Sequence, residues 1–211
     1  MNKWIDISMT IKPDMMVYKE RIEKKPEFIS RATHEDKGYC ESSLKFDLHS
    51  GTHIDMPLHM IEKGQDSSTF DVASVNGRCI VIDLHMLNHA DIKREDLEAF
   101  DIKKGDIVIL KTHNSYAEHF DVNFDYVAES GAAYLVSCGI KAVGIDGLGI
   151  ERSQSNHMTH IRLLSVPIYI IEGLSLAHVA AGRYELICLP LKIEGVEGLP
   201  ARAYLIPYES K

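Results

Sequence analysis

The segment His49-Ser50-Gly51-Thr52-His53-Ile54-Asp55-Met56-Pro57-Leu58-His59 gathers three imidazoles and a carboxylate into one short stretch. Neutral imidazoles and a carboxylate form a credible first shell for Zn²⁺, Mn²⁺ or another transition metal. Asp55 offers two oxygens and could bridge two ions. His59, beyond Pro57, is either a further ligand or a free imidazole that titrates near neutral pH and carries protons. Gly51 and Pro57 argue against a continuous helix, which separates the segment from the helical H-E-x-x-H metalloproteases. His49 and His53 must therefore converge through a tight turn at Gly51, where glycine takes backbone angles that other residues avoid. A lone histidine is usually an ordinary surface residue. Three of them with an aspartate, framed by Gly and Pro, are better explained as a ligand cluster.

Open metal sites recruit ligands from distant parts of the chain. The second candidate region is Asn156-His157-Met158-Thr159-His160, followed by Glu172, which closes the apolar run Ile168-Tyr169-Ile170-Ile171. A carboxylate there must be solvated, paired or metal-bound. Local spacing does not choose between His157 and His160. The four cysteines, Cys40, Cys79, Cys138 and Cys188, are far apart and form no C-x-x-C pair. They read as structural rather than as zinc or redox ligands. No G-x-S-x-G elbow is present, which argues against a serine hydrolase of the α/β-hydrolase type.

Short apolar, β-branched runs must position these groups. They cover 79–84, 107–110, 142–145, 168–171, 186–191 and 203–206, and their length and Gly, Pro or Asp boundaries favour buried strands. The alternation through Leu44, Phe46 and Leu48 predicts a half-buried strand that ends at His49 on its polar side. Between the runs, Asp91 is expected to cap a helix through Phe100. Asp125 is expected to start a longer helix that Gly139 stops, and Asn156 to cap a third carrying His157, His160, Leu163 and Leu164. Strands interleaved with helices define an α/β protein. No repeat, low-complexity tract or linker divides the 211 residues, so 1–211 reads as a single domain.

A formal charge of −8 argues against nucleic-acid or anionic-membrane binding. No apolar run approaches the roughly 20 residues that span a bilayer. The opening Met1-Asn2-Lys3-Trp4-Ile5-Asp6 carries no apolar signal region, so a mature, cytoplasmic protein is expected.

The pattern H-x-G-T-H-x-D-x-P-x-H is matched at every specified position from His49 to His59. It resembles the signature of the metal-dependent cyclase family that includes bacterial kynurenine formamidase (arylformamidase) and isatin hydrolase. Asp6-Ile7-Ser8, Gly105-Asp106-Ile107-Val108, Gly144-Ile145-Asp146 and Ile170-Ile171-Glu172-Gly173-Leu174 look like further family landmarks. The resemblance implies a swivelling β/β/α domain with a mixed-sheet core and flanking helices, assembled as a homodimer or homotetramer. It implies that His49 and His53 bind a first ion, Asp55 bridges, and His160 and Glu172 complete a second site. That makes two Zn or Mn ions per subunit and selects His160 over His157. It makes His59 the proton donor and acceptor, and it aligns Tyr18 with a substrate-contacting aromatic position where tryptophan is typical. The implied reaction is hydrolysis of a small-molecule amide, foremost N-formylkynurenine to kynurenine and formate. A bound ion lowers the pKa of water from about 15.7 toward about 7 for such an attack. The alternatives are cyclic-amide hydrolysis of the isatin type, or a non-catalytic metal or small-molecule binder on the same scaffold. Two stretches depart from the family pattern. Met16–Arg21 replaces an aromatic followed by Pro-Gly-Asp, and Gly147–Glu151 replaces a run toward Ser and Asp.

Overall fold

The computed structural model describes residues 4–166 and 168–208; Met1, Asn2 and Lys3, on which the expectation for the opening partly rests, lie outside them. In chain order the strands are β1 (Ile5–Asp6), β2 (Glu27–Ala32), β3 (Glu41–Lys45), β4 (His53–Asp55), β5 (Gly77–Asp83), β6 (Asp91–Ile92), β7 (Ile107–Lys111), β8 (Tyr126–Val127), β9 (Ala142–Ile145), β10 (Tyr169–Glu172), β11 (Gly182–Pro190) and β12 (Gly198–Pro207). The helices are α1 (His34–Lys37), α2 (Arg94–Leu97), α3 (Glu129–Cys138) and α4 (Met158–Leu164).

Eight strands form one mixed sheet in the order β1-β12-β11-β5-β7-β9-β10-β4. β5, β7, β9 and β10 run parallel, and the crossovers between them carry α2, α3 and α4. β4 is antiparallel to β10 on one side and to the first residues of β12 on the other. The sheet therefore curls round and closes on itself.

Closure covers the inner face and the helices cover the outer face of β5, β7, β9 and β10, which is why those strands read as continuous apolar runs. Alternate side chains separate into two cores. Cys79, Val81, Ile107, Ile109, Ala142, Ile171 and Leu205, with Ile54 of β4, fill one. Ile80, Ile82, Val108, Leu110, Val143, Ile145 and Ile170 meet Leu97, Leu135, Leu163 and Leu164 from the helices in the other. At Gly144 an added Cβ would lie 2.6 Å from Ile109 Cδ1 and 2.8 Å from Leu174 Cδ1, so the packing there requires glycine. Among the described residues no helix is long and apolar enough to cross a membrane.

The six apolar runs all contain strands, and the mixed sheet with flanking helices agrees with the expected α/β class. Local boundaries differ in four places. Asp91 caps nothing: with Ile92 it forms β6, paired in parallel with β8, and only Arg94–Leu97 is α-helical. Lys93 holds the N-cap position there, its N–H donating to the Asp96 carboxylate at 2.7 Å. Asp125 accepts the His113 N–H instead of capping; Tyr126–Val127 is extended, and α3 begins at Glu129, ending at Gly139 (φ 66°) as expected. The residue before α4 is His157 rather than Asn156, in the left-handed region at φ 47°. The strand expected to end at His49 stops at Lys45 and pairs only with β2 in a separate hairpin. Leu44 is 49% exposed, so its alternation did not reflect a buried face. His49 instead lies in a turn whose start is fastened by Asp47, which accepts the His49 N–H at 2.9 Å.

Candidate metal centre

The two-residue period of a strand does most of the positioning. Ile54 points into the ring's inner core, so His53 and Asp55, one residue either side, both face the helical layer. On the neighbouring β10, Ile171 pairs with Ile54 and Glu172 pairs with His53, bringing a second carboxylate onto the same face. α4 packs beside β10 and supplies His160. Gly51, at φ 70°, turns the chain back so that the His49 ring reaches this face from the preceding turn. Gly198 of β12 leaves the room: a Cβ there would stand 2.9 Å from His49 Nε2. After β4, Pro57 opens a 3₁₀ turn (Pro57–His59) that returns His59 over the cluster.

The side chains converge closely. Asp55 Oδ1 lies 2.9 Å from His49 Nδ1 and 3.4 Å from His53 Nε2, and Asp55 Oδ2 lies 3.6 Å from His160 Nε2. Glu172 places Oε2 at 3.5 Å from His53 Nε2 and Oε1 at 3.5 Å from His160 Nε2. The His59 and His49 ring centres are 4.1 Å apart. His53, Asp55, His160 and Glu172 are all buried. Despite these short approaches, both Asp55 oxygens and His53 Nε2 lack any partner at hydrogen-bonding geometry. Buried polar groups normally find such partners. Lone pairs aimed at a shared point rather than at one another are what a metal ion requires, so the donor set fits a divalent cation. Asp55 and Glu172 join His53 in one group of mutually close donors, and Asp55 joins His49 and His59 in another. The second group brings His59 within ligand reach as well as proton-transfer reach.

Electrostatics agree. Burial would raise Asp55, but His160, His49 and His53 outweigh it and hold the carboxyl well below its ordinary value. Burial and Asp55 push Glu172 upward, yet His160 and His53 bring it down to about 2. Burial opposes a charge on His53, but Asp55 and Glu172 raise it to about 10. His160 is also raised well above an ordinary imidazole, its carboxylate neighbours overcoming burial. The two carboxylates thus gather positive charge around them. His59 goes the other way: burial, aided by the neighbouring His49 and His160 and resisted by Asp55 and Glu172, lowers its pKa.

Tyr18 lines the same cleft as His49, His59, His160 and Glu172, a cavity of about 130 Å³. Its ring packs edge-on against Phe120 and Phe124, with centres 5.1 and 6.2 Å away, and its hydroxyl lies 3.1 Å from Ser153 Oγ. A larger cavity of about 400 Å³ lies alongside, walled by Phe120, Phe124, Met9 and Met16, and shares Leu148 with the first.

All the residues singled out in sequence thus line one cleft or its buried floor. His157 falls in a third group of mutually close donors, with Glu151 and His160, and its Nδ1 lies 2.7 Å from Glu151 Oε1. Glu151 is the residue that sequence reasoning missed. It is 4% exposed and reaches both His157 and His160. Its signal was present, since a glutamate directly after the apolar Ile150 poses the same question as Glu172 after Ile171.

A closed mixed sheet with helices on its outer face and a buried histidine–carboxylate centre defines an α/β protein built to hold a cation. The family model described as "Putative cyclase" matches residues 5–152, and the chain belongs to the cyclase family. A kynurenine formamidase of Salinibacter ruber is 31% identical, the match covering 95% of this chain and 96% of that one. The cyclase-like protein 2 of rice (Oryza sativa subsp. japonica) is 34% identical over 78% of this chain, which spans only 64% of that relative's length. A solved structure described as a "Potential Metal-Dependent Hydrolase With Cyclase Activity" superposes with a TM-score of 0.90 at 40% identity, covering 99% of both chains. Isatin hydrolase A from Labrenzia aggregata superposes with a TM-score of 0.84 at 20% identity, covering 98% of this chain and 94% of its own, a likeness of fold.

Proposed function

We propose that this protein is a divalent-metal hydrolase that cleaves an amide bond, foremost an aryl formamide such as N-formylkynurenine, releasing formate and the aryl amine. The observation that carries the reading is the convergence of the partnerless Asp55 oxygens and His53 Nε2 with His49 Nδ1, His160 Nε2 and the Glu172 carboxylate. The kynurenine formamidase and metal-dependent hydrolase relatives supply the reaction class.

His49, His53 and Asp55 would hold one ion, and Asp55, His160 and Glu172 a second, with Zn²⁺ or Mn²⁺ the ions that suit imidazole and carboxylate ligands. Such an ion supplies an activated water at neutral pH and polarises the carbonyl. The protein's own residues do the rest. Burial of the cluster keeps bulk water from competing for the carboxylates. His59, uncharged near neutral pH, accepts a proton and returns it to the departing nitrogen. Tyr18 offers an aromatic face at the mouth of the cleft, where an aryl ring can stack. We further propose that residues 1–211 act as one domain, in a homodimer or homotetramer. A cytoplasmic setting is in keeping with four cysteines that all stand free.

The test is a hydrolysis screen of N-formylkynurenine, simple aryl formamides, isatin and other cyclic amides, run with and without added metal. Protein stripped with EDTA should lose activity and regain it with Zn²⁺ or Mn²⁺. Full turnover after verified metal removal would sink the mechanism. Turnover of isatin in preference to the formamides would move the substrate to the cyclic-amide class. Metal binding with no turnover of any of them would favour a binding protein on this scaffold.

A further inference from the structure

The outer nitrogen of His160 has a single acidic neighbour. His160 turns Nε2 toward Asp55 and Glu172, at 3.6 and 3.5 Å, and its Nδ1 faces Glu151 Oε1 at 3.2 Å. An imidazole that offers Nε2 as a lone pair must keep its proton on Nδ1, and that proton needs an acceptor. Glu151 is buried and held in place to serve. Its Oε2 accepts the backbone N–H of Thr159 at 2.8 Å, and its Oε1 lies 2.7 Å from His157 Nδ1. The left-handed backbone of His157, at φ 47°, lets its ring fold back onto the same oxygen. The chain also ties this carboxylate to the ligands directly: the N–H of Ile150, the residue before it, donates to Glu172 Oε1 at 2.6 Å.

We infer that Glu151, steadied by His157, is a positioning residue: it accepts the Nδ1 proton of His160 and so fixes which nitrogen faces the metal centre. The inference rests on the metal-centre reading above. The two atoms approach to 3.2 Å without full hydrogen-bond alignment. Outer-sphere carboxylates of this kind orient a ligating imidazole and raise its basicity, and their loss weakens metal affinity by about 10–100-fold.

Glu151→Gln is the informative variant. The amide has one acceptor where the carboxylate serves two sets of donors, so either the imidazoles or the Thr159 N–H must face an NH₂ group. Zn²⁺ affinity, measured by competition with a chromogenic chelator, should fall about 10–100-fold, with an unchanged far-UV spectrum. The same substitution placed in a His160→Ala background should produce no further loss, because the residue acts through His160. Equal Zn²⁺ affinity in Glu151→Gln and the parent, or a full additive loss in the double variant, would overturn the inference. If Glu151→Gln fails to fold, nitrogen-15 spectra of the unaltered Zn²⁺-loaded protein decide. His160 protonated at Nδ1, with an exchange-protected proton, supports the inference; a proton on Nε2 overturns it. Should the unaltered protein bind no Zn²⁺ at all, the fault lies with the metal-centre reading itself.

Discussion

His59 differs from His53 and His160 in charge although all three rings share one cleft. Burial and two imidazole neighbours leave it neutral where the other two are held protonated. A neutral base beside a cation site is suited to moving protons rather than storing charge. His59→Ala should therefore retain metal, read by elemental analysis, while kcat falls by about 10²–10⁴-fold; a variant that loses its metal would make His59 a ligand. His53 gives a second expectation. With its folded pKa raised to about 10, it is protonated in the metal-free protein throughout the neutral range and must shed that proton to offer a lone pair. Metal binding should release protons between about pH 6 and 9, and apparent affinity should weaken as pH falls. Calorimetry in buffers of different ionisation enthalpy counts the protons, and equal heats would contradict the protonated cluster. The identities of His49, His53, Asp55 and His59 were legible because their types and spacing are local. The roles of Glu151 and His157 were not, because they depend on the left-handed backbone before α4, which a sequence of side chains does not announce.

At the scale of elements, the ligand face is a matter of strand parity. His53 and Asp55 share it because Ile54 takes the other, and the antiparallel register with β10 adds Glu172 opposite His53. The ring of His49 completes the face only because β12 presents Gly198 beneath it. Gly198→Ala would put a methyl 2.9 Å from His49 Nε2, so it should lower metal content with little effect on secondary structure, measured by elemental analysis and circular dichroism. Retention of full metal occupancy would mean that His49 is dispensable as a ligand. The apolar runs of β5, β7, β9 and β10 announced their strands because both sheet faces are buried there. The helix starts did not, since Asp91 opens and Asp125 precedes a two-residue strand, and the β6–β8 pairing that fixes these strands joins segments far apart in the chain.

At the scale of the molecule, Asp106 ties three strands together. Its side chain is fully buried, accepts the Lys103 N–H, and pairs with Arg78 of β5 and Arg183 of β11. Burial alone would raise its pKa, but these donors outweigh it and lower the value. A depressed carboxylate pKa contributes stability that is complete above the unfolded value of about 3.9 and is lost as pH falls through the folded one. Asp106→Asn should thus destabilise the protein at neutral pH and shrink the loss of stability below about pH 4. Urea midpoints at several pH values would measure both effects, and a parallel offset at every pH would contradict the assignment. Neither arginine partner was foreseeable, since Arg183 lies well beyond Asp106 in the chain and meets it only because β11 folds back beside β5.

β4 is three residues long, yet it is the clasp of a hoop. Its backbone joins β10 to the start of β12, and the bonds from Met56 N to Glu197 O and from Ala201 N to Thr52 O extend the fastening at both ends. Opening that clasp separates the ligands, so occupancy of the cleft and closure of the hoop belong to one equilibrium. A cation present at 100 times its dissociation constant would add about 2.7 kcal/mol to the cost of opening. The centre proposed for chemistry would then also serve as a lock on the barrel.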